Sequence, residues 1–361
     1  MDMGLLTSAL LFIVGLGILI KGSDLFVSSA AYIAKHFGVS QLIIGLTLVS
    51  MGTSFPELGA SMYASATGNG GIAIGNVVGS NIANIALVLG VCLMLRQIKV
   101  KKKMLTRDGM IMISVSLLFT LFIFMGGEVN RWEGLILMGI FIAYLMFLYK
   151  QNKSEKKARA INRVIEESIE KDMRFTDDIA KVIIEDKNSN KNQVRSQPTK
   201  KEEKPISLVS ETLKLTIGCF GVVIGAMLLV DNAIFIAEKL GITQSVIGST
   251  LVAFGTSVPE LAVSIVAILK RYEQISIGNI IGSNIFNILL VIGASALVNP
   301  LVMESEDYVI LMNTNIPIML MVAAVLLLFM AVKQKLLRWE GAVFVTIYGV
   351  FLTLNYWIPS L

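Results

Sequence analysis

Histidine is nearly missing from this chain: among 361 residues there is one, His36, at a predicted helix end. Cysteine is scarce as well. Cys92 and Cys219 both sit in apolar runs, without the spacing of a metal knuckle or a disulfide framework. They read as small packing residues. So few soft ligands speak against a zinc or copper centre. Charge is thin too, at 16% of residues against 55% hydrophobic, with a mean hydropathy of +0.73. A soluble domain has too little interior to hide that much apolar side chain, which makes a polytopic membrane protein the expectation. No basic stretch precedes the first apolar run at Met1-Asp2-Met3-Gly4. That run is expected to be retained rather than cleaved as a leader. A phosphate-cradling loop with its lysine is lacking: Gly68-Asn69-Gly70-Gly71 is a short turn, and no nucleotide domain follows. A pump is therefore not expected. Neither is an enzyme, because Ser54 and Ser257 lie in apolar runs without a partner base.

What the chain has is apolar length. A bilayer span needs about 20 mostly apolar residues. Candidate spans fall at 4–33, 41–66, 71–95, 108–127, 132–149, 208–237, 245–268, 274–297, 308–331 and 339–357. The fold class expected is an all-α polytopic membrane protein with ten transmembrane helices. Between the fifth and sixth spans, residues 150–206 turn charged. There Ile161, Val164, Ile165 and Ile169 keep helical spacing, while the end around Pro198–Pro205 has the composition of a disordered segment.

The chain also repeats. Gly52-Thr53-Ser54-Phe55-Pro56-Glu57 returns as Gly255-Thr256-Ser257-Val258-Pro259-Glu260. Gly75-Asn76-Val77-Val78-Gly79-Ser80-Asn81-Ile82-Ala83-Asn84 returns as Gly278-Asn279-Ile280-Ile281-Gly282-Ser283-Asn284-Ile285-Phe286-Asn287. Arg131-Trp132-Glu133-Gly134 returns as Arg338-Trp339-Glu340-Gly341. Five spans per half is an odd number, so the second half must enter from the opposite side. The expectation is two inverted five-helix repeats, residues 1–149 and 207–361, flanking the 150–206 loop. This is the arrangement of alternating-access carriers. The loops on one side carry Lys35, then Arg96 to Arg107, then Lys270 and Arg271, then Lys333, Lys335 and Arg338. That bias puts the 150–206 loop in the cytoplasm and both termini outside. It also accounts for the net charge of +5 without nucleic acid.

Two carboxylates in apolar spans need an explanation. Thr53 and Glu57 share a helix face. Pro56 between them cannot donate to the Gly52 carbonyl, so the helix should bend or break over residues 50–56 and free backbone oxygens. Thr256, Pro259 and Glu260 repeat this. Asn76, Ser80 and Asn84 form one polar stripe; Asn279, Ser283 and Asn287 form another. Asn81 and Asn284 lie off the stripes and are expected to bond to a neighbouring helix. Hydroxyl, carboxylate, amide and carbonyl oxygens together suit a hard cation, Ca²⁺ or Na⁺. Two negative charges match one divalent ion or two or more monovalent ones. Lys21 and Asp24, three residues apart in the first span, read as a local or snorkelling couple.

These doubled motifs resemble the cation/calcium antiporter superfamily, and within it the prokaryotic sodium/calcium exchangers. The resemblance covers both halves and leaves out only residues 150–206. It implies a plasma-membrane secondary antiporter that moves Ca²⁺ out as Na⁺ enters, with the bilayer and the two ions as its partners and neither cofactor nor obligate protein partner. By that resemblance Glu57 and Glu260 are shared ligands, and Thr53 and Thr256 add hydroxyl or carbonyl oxygens. Ser50 and Ala253 offer carbonyls, Ser80 and Ser283 hydroxyls, and Asn84 and Asn287 complete the centre. Potassium-dependent relatives carry Asp where Asn287 stands, so K⁺ independence is implied. A proton-driven or K⁺-dependent exchanger and a cation channel are the alternatives.

Overall fold

The computed structural model describes residues 3–100, 104–153, 208–239, 253–303 and 305–357. The expected 150–206 loop therefore falls outside the described residues from 154 onward, as does the start of the seventh expected span. In chain order the helices are α1 (Met3–Phe37), α2 (Gln41–Thr53), α3 (Phe55–Ala66), α4 (Gly70–Leu95), α5 (Thr106–Gly126) and α6 (Arg131–Lys153). The second half continues with α7 (Leu208–Lys239), α8 (Ala253–Thr256), α9 (Val258–Leu269), α10 (Glu273–Val298), α11 (Asp307–Val332) and α12 (Arg338–Trp357). The protein is all-helical and polytopic. Seven of these helices are each long and apolar enough to cross a bilayer, and the α2–α3 pair makes an eighth span if counted as one.

Two helices make the centre. The apolar windows of α4 and α10 are 78% and 83% buried, whereas those of α1, α5, α6, α7 and α11 are no more than 33% buried. The outer helices present their apolar side chains outward, as lipid-facing surfaces do. The inner pair is rich in small residues, which lets neighbouring backbones approach closely.

Equivalent helices run antiparallel. The start of α4 at Gly70 lies against Leu301 and Val302, just past the end of α10. The start of α10 reaches the end of α4, where the Gln274 side chain donates to the Lys99 carbonyl at 2.9 Å. In the middle Asn81 Nδ2 donates to the carbonyl of Asn284, its own counterpart 203 residues on. The outer helices α1 and α7 pair in the same sense, with Gly15 against Leu229 and Gly22 against Gly221.

Two short ladders add to the expected helices. β1 (Ile98–Lys99) pairs with β4 (Lys335–Leu336), and β2 (Glu128–Val129) pairs with β3 (Leu301–Val302), both antiparallel. Each ladder joins one half of the chain to the other. The repeated Arg-Trp-Glu-Gly string is explained at the helix starts beside them. Asn130 Oδ1 accepts from the backbone N–H of Trp132 and Glu133, while Glu133 reaches back to the Asn130 N–H at 2.8 Å. Glu340 does the same to Leu337 N–H at 2.8 Å. The first is a capping box and the second its glutamate half alone, each satisfying N–H groups that a helix start leaves unpaired.

The expected couple of Lys21 and Asp24 is not what forms. Asp24 pairs instead with Lys270 at 2.7 Å, and Lys270 also donates to Ser28 Oγ. The link ties α1 to the turn after α9. The pair is partly solvated, so screening limits its worth. We expect Lys270→Ala to cost under about 1 kcal/mol of stability, read as a thermal shift of purified protein.

Candidate functional site

The expected break in the second span is present. The helix bends by 47° between α2 and α3. The turning residue is Ser54, with φ −87° and ψ 6°. Its counterpart Ser257, between α8 and α9, has φ −89° and ψ 1°. Pro56 and Pro259 sit at the start of the helix that follows, where a missing N–H costs nothing. The Gly52 carbonyl, which the proline leaves without its helical donor, faces the Cys219 thiol of α7 at 3.8 Å.

The breaks place Glu57 and Glu260 in the first turns of α3 and α9. Both side chains are fully buried. The positive end of each helix favours the carboxylate, by about 2 kcal/mol at most. A carboxylate at bilayer depth costs about 3 kcal/mol or more. The helix ends alone therefore do not offset two of them. Neither oxygen of Glu57 has a hydrogen-bond partner among the described residues, and Glu260 Oε2 lacks one too. Glu260 Oε1 accepts from Ser54 Oγ at 3.4 Å.

Each broken pair packs on the central helix of the other half. Thr53 Oγ1 donates to Asn279 Oδ1 at 3.1 Å and lies 3.5 Å from Ser283 Oγ. The counterpart contact, Ser80 Oγ to Thr256 Oγ1, measures 3.3 Å. Asn76 and Asn279 donate to Ser61 and Ser264 at 2.9 and 3.2 Å, again as counterparts. Asn84 and Asn287 are fully buried. Both lie where the backbone widens into a π-helical stretch, at Ala83–Leu89 and Asn287–Ile292. Such stretches are frequent at functional sites.

Of the residues singled out in the sequence, the structure brings Thr53 to Ser283 and Thr256 to Ser80. Both glutamates and both asparagines are buried. Ser50 is buried, with its hydroxyl turned back to the Gly45 carbonyl at 3.0 Å. Its own carbonyl accepts the Ser54 N–H at 3.0 Å and lies 3.3 Å from the Thr53 hydroxyl. Ala253 opens α8, and the residues just before it lie outside the described set. Two polar contacts escape the sequence reading. Asn279 holds the Thr53 hydroxyl, although it stands on the polar stripe, and Ser54 bonds Glu260. The signal for Ser54 is its place in the doubled string. Asn81 does bond to a neighbouring helix, as expected from its position off the stripe, whereas the side chain of Asn284, expected to do the same, donates to the Ile280 carbonyl one turn back on its own helix.

Fold and site together define a polytopic α-helical membrane protein built around a buried pair of carboxylates on broken helices. The family profile described as sodium/calcium exchanger protein matches residues 7–150 and again 211–357. The chain belongs to that family. It is 38% identical over 371 residues to the sodium/calcium exchanger MaX1 of Methanosarcina acetivorans, covering 97% of this chain and 98% of MaX1. It is 36% identical to the membrane protein MJ0091 of Methanocaldococcus jannaschii, covering 93% and 94% of the two chains. Among solved structures it is similar to the sodium-calcium exchanger NCX_Mj soaked with Na⁺ and Ca²⁺. The TM-score is 0.74 at 30% identity, covering 96% of this chain and 98% of that one.

Proposed function

We propose that this chain exchanges Na⁺ for Ca²⁺ across the plasma membrane by alternating access and extrudes Ca²⁺. The observation that carries the reading is the pair of fully buried carboxylates, Glu57 and Glu260, with three of their four oxygens unpartnered among the described residues. Oxygen atoms in that state are ready ligands for a hard cation. In this reading Thr53, Thr256, Ser80, Ser283, Asn84 and Asn287 add neutral oxygen to the two carboxylates, and Ser50 and Ala253 add carbonyls beside the breaks; the Thr53–Ser283 and Ser80–Thr256 contacts between the halves support it. The family membership and the names of the relatives support Na⁺ and Ca²⁺ as the two ions.

The architecture of the reading is ten spans in two inverted repeats, residues 1–149 and 207–361. The antiparallel running of α1 with α7 and of α4 with α10 supports it. So do the two separate matches to one family profile. Arg96, Lys99, Lys335 and Arg338 gather around the β1–β4 ladder, where Arg96 pairs with Glu273 and Arg338 donates to the Leu95 carbonyl. That cluster supports a cytoplasmic face there, external termini and a cytoplasmic 150–206 loop.

Coupling follows from charge. Na⁺ and Ca²⁺ compete for the same glutamates, so they exclude each other. A neutralised site can be carried across; an empty one keeps buried charge and resists. The α1–α7 pair, seated on its glycines and mostly lipid-facing, is the element placed to slide past the centre. With amides at both Asn84 and Asn287, the site lacks a third carboxylate and has no need of K⁺.

The test is reconstitution. Proteoliposomes loaded with Na⁺ should take up ⁴⁵Ca²⁺ when the Na⁺ gradient points outward, with or without K⁺. Uptake that follows an imposed H⁺ gradient instead would replace Na⁺ as the driving ion. Flux indifferent to every gradient, with unitary currents, would make the protein a channel.

A further inference from the structure

The two central asparagines are counterparts, yet their surroundings differ. Asn287 Nδ2 donates to Asn81 Oδ1 at 3.1 Å. Asn287 Oδ1 is buried and accepts from nothing among the described residues. Asn81 in turn spends its Nδ2 on the Asn284 carbonyl at 3.3 Å. By the repeat, Asn284 should do for Asn84 what Asn81 does for Asn287. It does not: its Nδ2 turns to the carbonyl of Ile280, one turn back on its own helix, at 2.8 Å. Both side-chain polar atoms of Asn84 are left without a partner among the described residues.

An amide has two faces of opposite sign. Turned one way it offers a cation an oxygen; turned the other way it offers N–H groups that repel one. Something must decide which. Asn81 presents an acceptor to Asn287, and its own orientation is fixed by a backbone carbonyl that cannot change sign. The chain of bonds runs from Asn284 O to Asn81 Nδ2, then from Asn81 Oδ1 to Asn287 Nδ2. Its free end is Asn287 Oδ1. We infer that Asn81 is a positioning residue that sets which way round the Asn287 amide faces, so that Asn287 turns its oxygen to the transported cation.

The same geometry bears on why an amide stands at 287. A carboxylate there would meet Asn81 Oδ1, oxygen against oxygen. Relief would require Asn81 to turn over and aim that oxygen at the Asn284 carbonyl. Asn81 thus selects a neutral ligand at 287. This inference rests on the cation-site reading above and deepens it.

The experiment is a double-mutant cycle on purified protein, read as the Kd for ⁴⁵Ca²⁺ at equilibrium. Asn81→Ala should weaken binding about tenfold, the loss typical when the partner that orients a metal ligand is removed. A carboxylate has no wrong way round, so in an Asn287→Asp background Asn81→Ala should cost nothing or tighten binding. An equal loss in both backgrounds, or no binding by either protein carrying Asn287→Asp, overturns the inference. Should Asn81→Ala fail to fold, Asn81→Ser, too short to reach Asn287, takes its place in the cycle. Glu57→Gln in the same assay separates the two levels. If it binds Ca²⁺ normally, the site reading itself fails. If it loses binding while the cycle is additive, only the role of Asn81 fails.

Discussion

Glu57→Gln and Glu260→Gln should each lower Na⁺-driven Ca²⁺ flux by about 100-fold while the protein stays folded. The two variants remove charge and keep shape. A divalent cation between two carboxylates loses one of them, a loss on the order of 3 kcal/mol for a buried charge partner. That corresponds to about 100-fold in affinity. Folding should not suffer, because each carboxylate is a burden to the fold. Both are fully buried, and most of their oxygens have no donor among the described residues. The amide variants are therefore expected to be at least as stable as the native chain. Loss of flux with gain of melting temperature is the signature of a residue kept for binding. The measurement is ⁴⁵Ca²⁺ uptake beside a thermal melt on the same preparations. Normal flux by either variant would remove that glutamate from the site.

Gly278→Val should lower flux by a similar factor for a different reason. Here α2 and α10 cross with their backbones in contact. A Cβ on Gly278 would come within 2.7 Å of the Leu42 carbonyl and 3.0 Å of Gly45 Cα. A Cβ on Gly45 would meet the Ile275 carbonyl at 2.6 Å. Real Cβ atoms do not approach backbone so closely, so the two helices must move apart. The crossing lies next to Asn279 and one turn before Ser283, which hold the Thr53 hydroxyl at 3.1 and 3.5 Å. Parting the helices by about 1 Å breaks both contacts, and a misplacement of that size costs on the order of 100-fold in a positioned site. Unlike the glutamate variants, this one should also melt earlier, because overpacking costs about 1–3 kcal/mol. Gly17→Val is the control. Nothing lies within 4 Å of a Cβ there, so flux should be unchanged.

Much of this is legible in the sequence. The bend is written in Pro56, whose missing N–H and ring forbid an unbroken helix, and the repeat places a second break at Ser257. The burial of the glutamates follows from the apolar runs around them. The off-stripe position of Asn81 points to a neighbouring helix. What the sequence withholds are the pairings between halves. The 203-residue offset says which residues are counterparts, not which of them touch. That Thr53 meets Asn279 and Ser283 rather than Asn76 and Ser80 depends on how α2 leans on α10. The β ladders, two residues to a strand, are too short to leave a periodic signal. Asp24 chooses Lys270, 246 residues away, over Lys21 on its own helix, because α9 ends beside that face of α1.

If Glu57 and Glu260 form one site, Na⁺ and Ca²⁺ must exclude each other there. Equilibrium binding of ⁴⁵Ca²⁺ to the purified protein, titrated with Na⁺, tests it most directly. One saturable Ca²⁺ site per chain is expected at the glutamates, weakened about 100-fold in Glu57→Gln and in Glu260→Gln, and emptied by Na⁺ with a steepness above one. Binding that survives saturating Na⁺, or keeps its affinity in both variants, would contradict it.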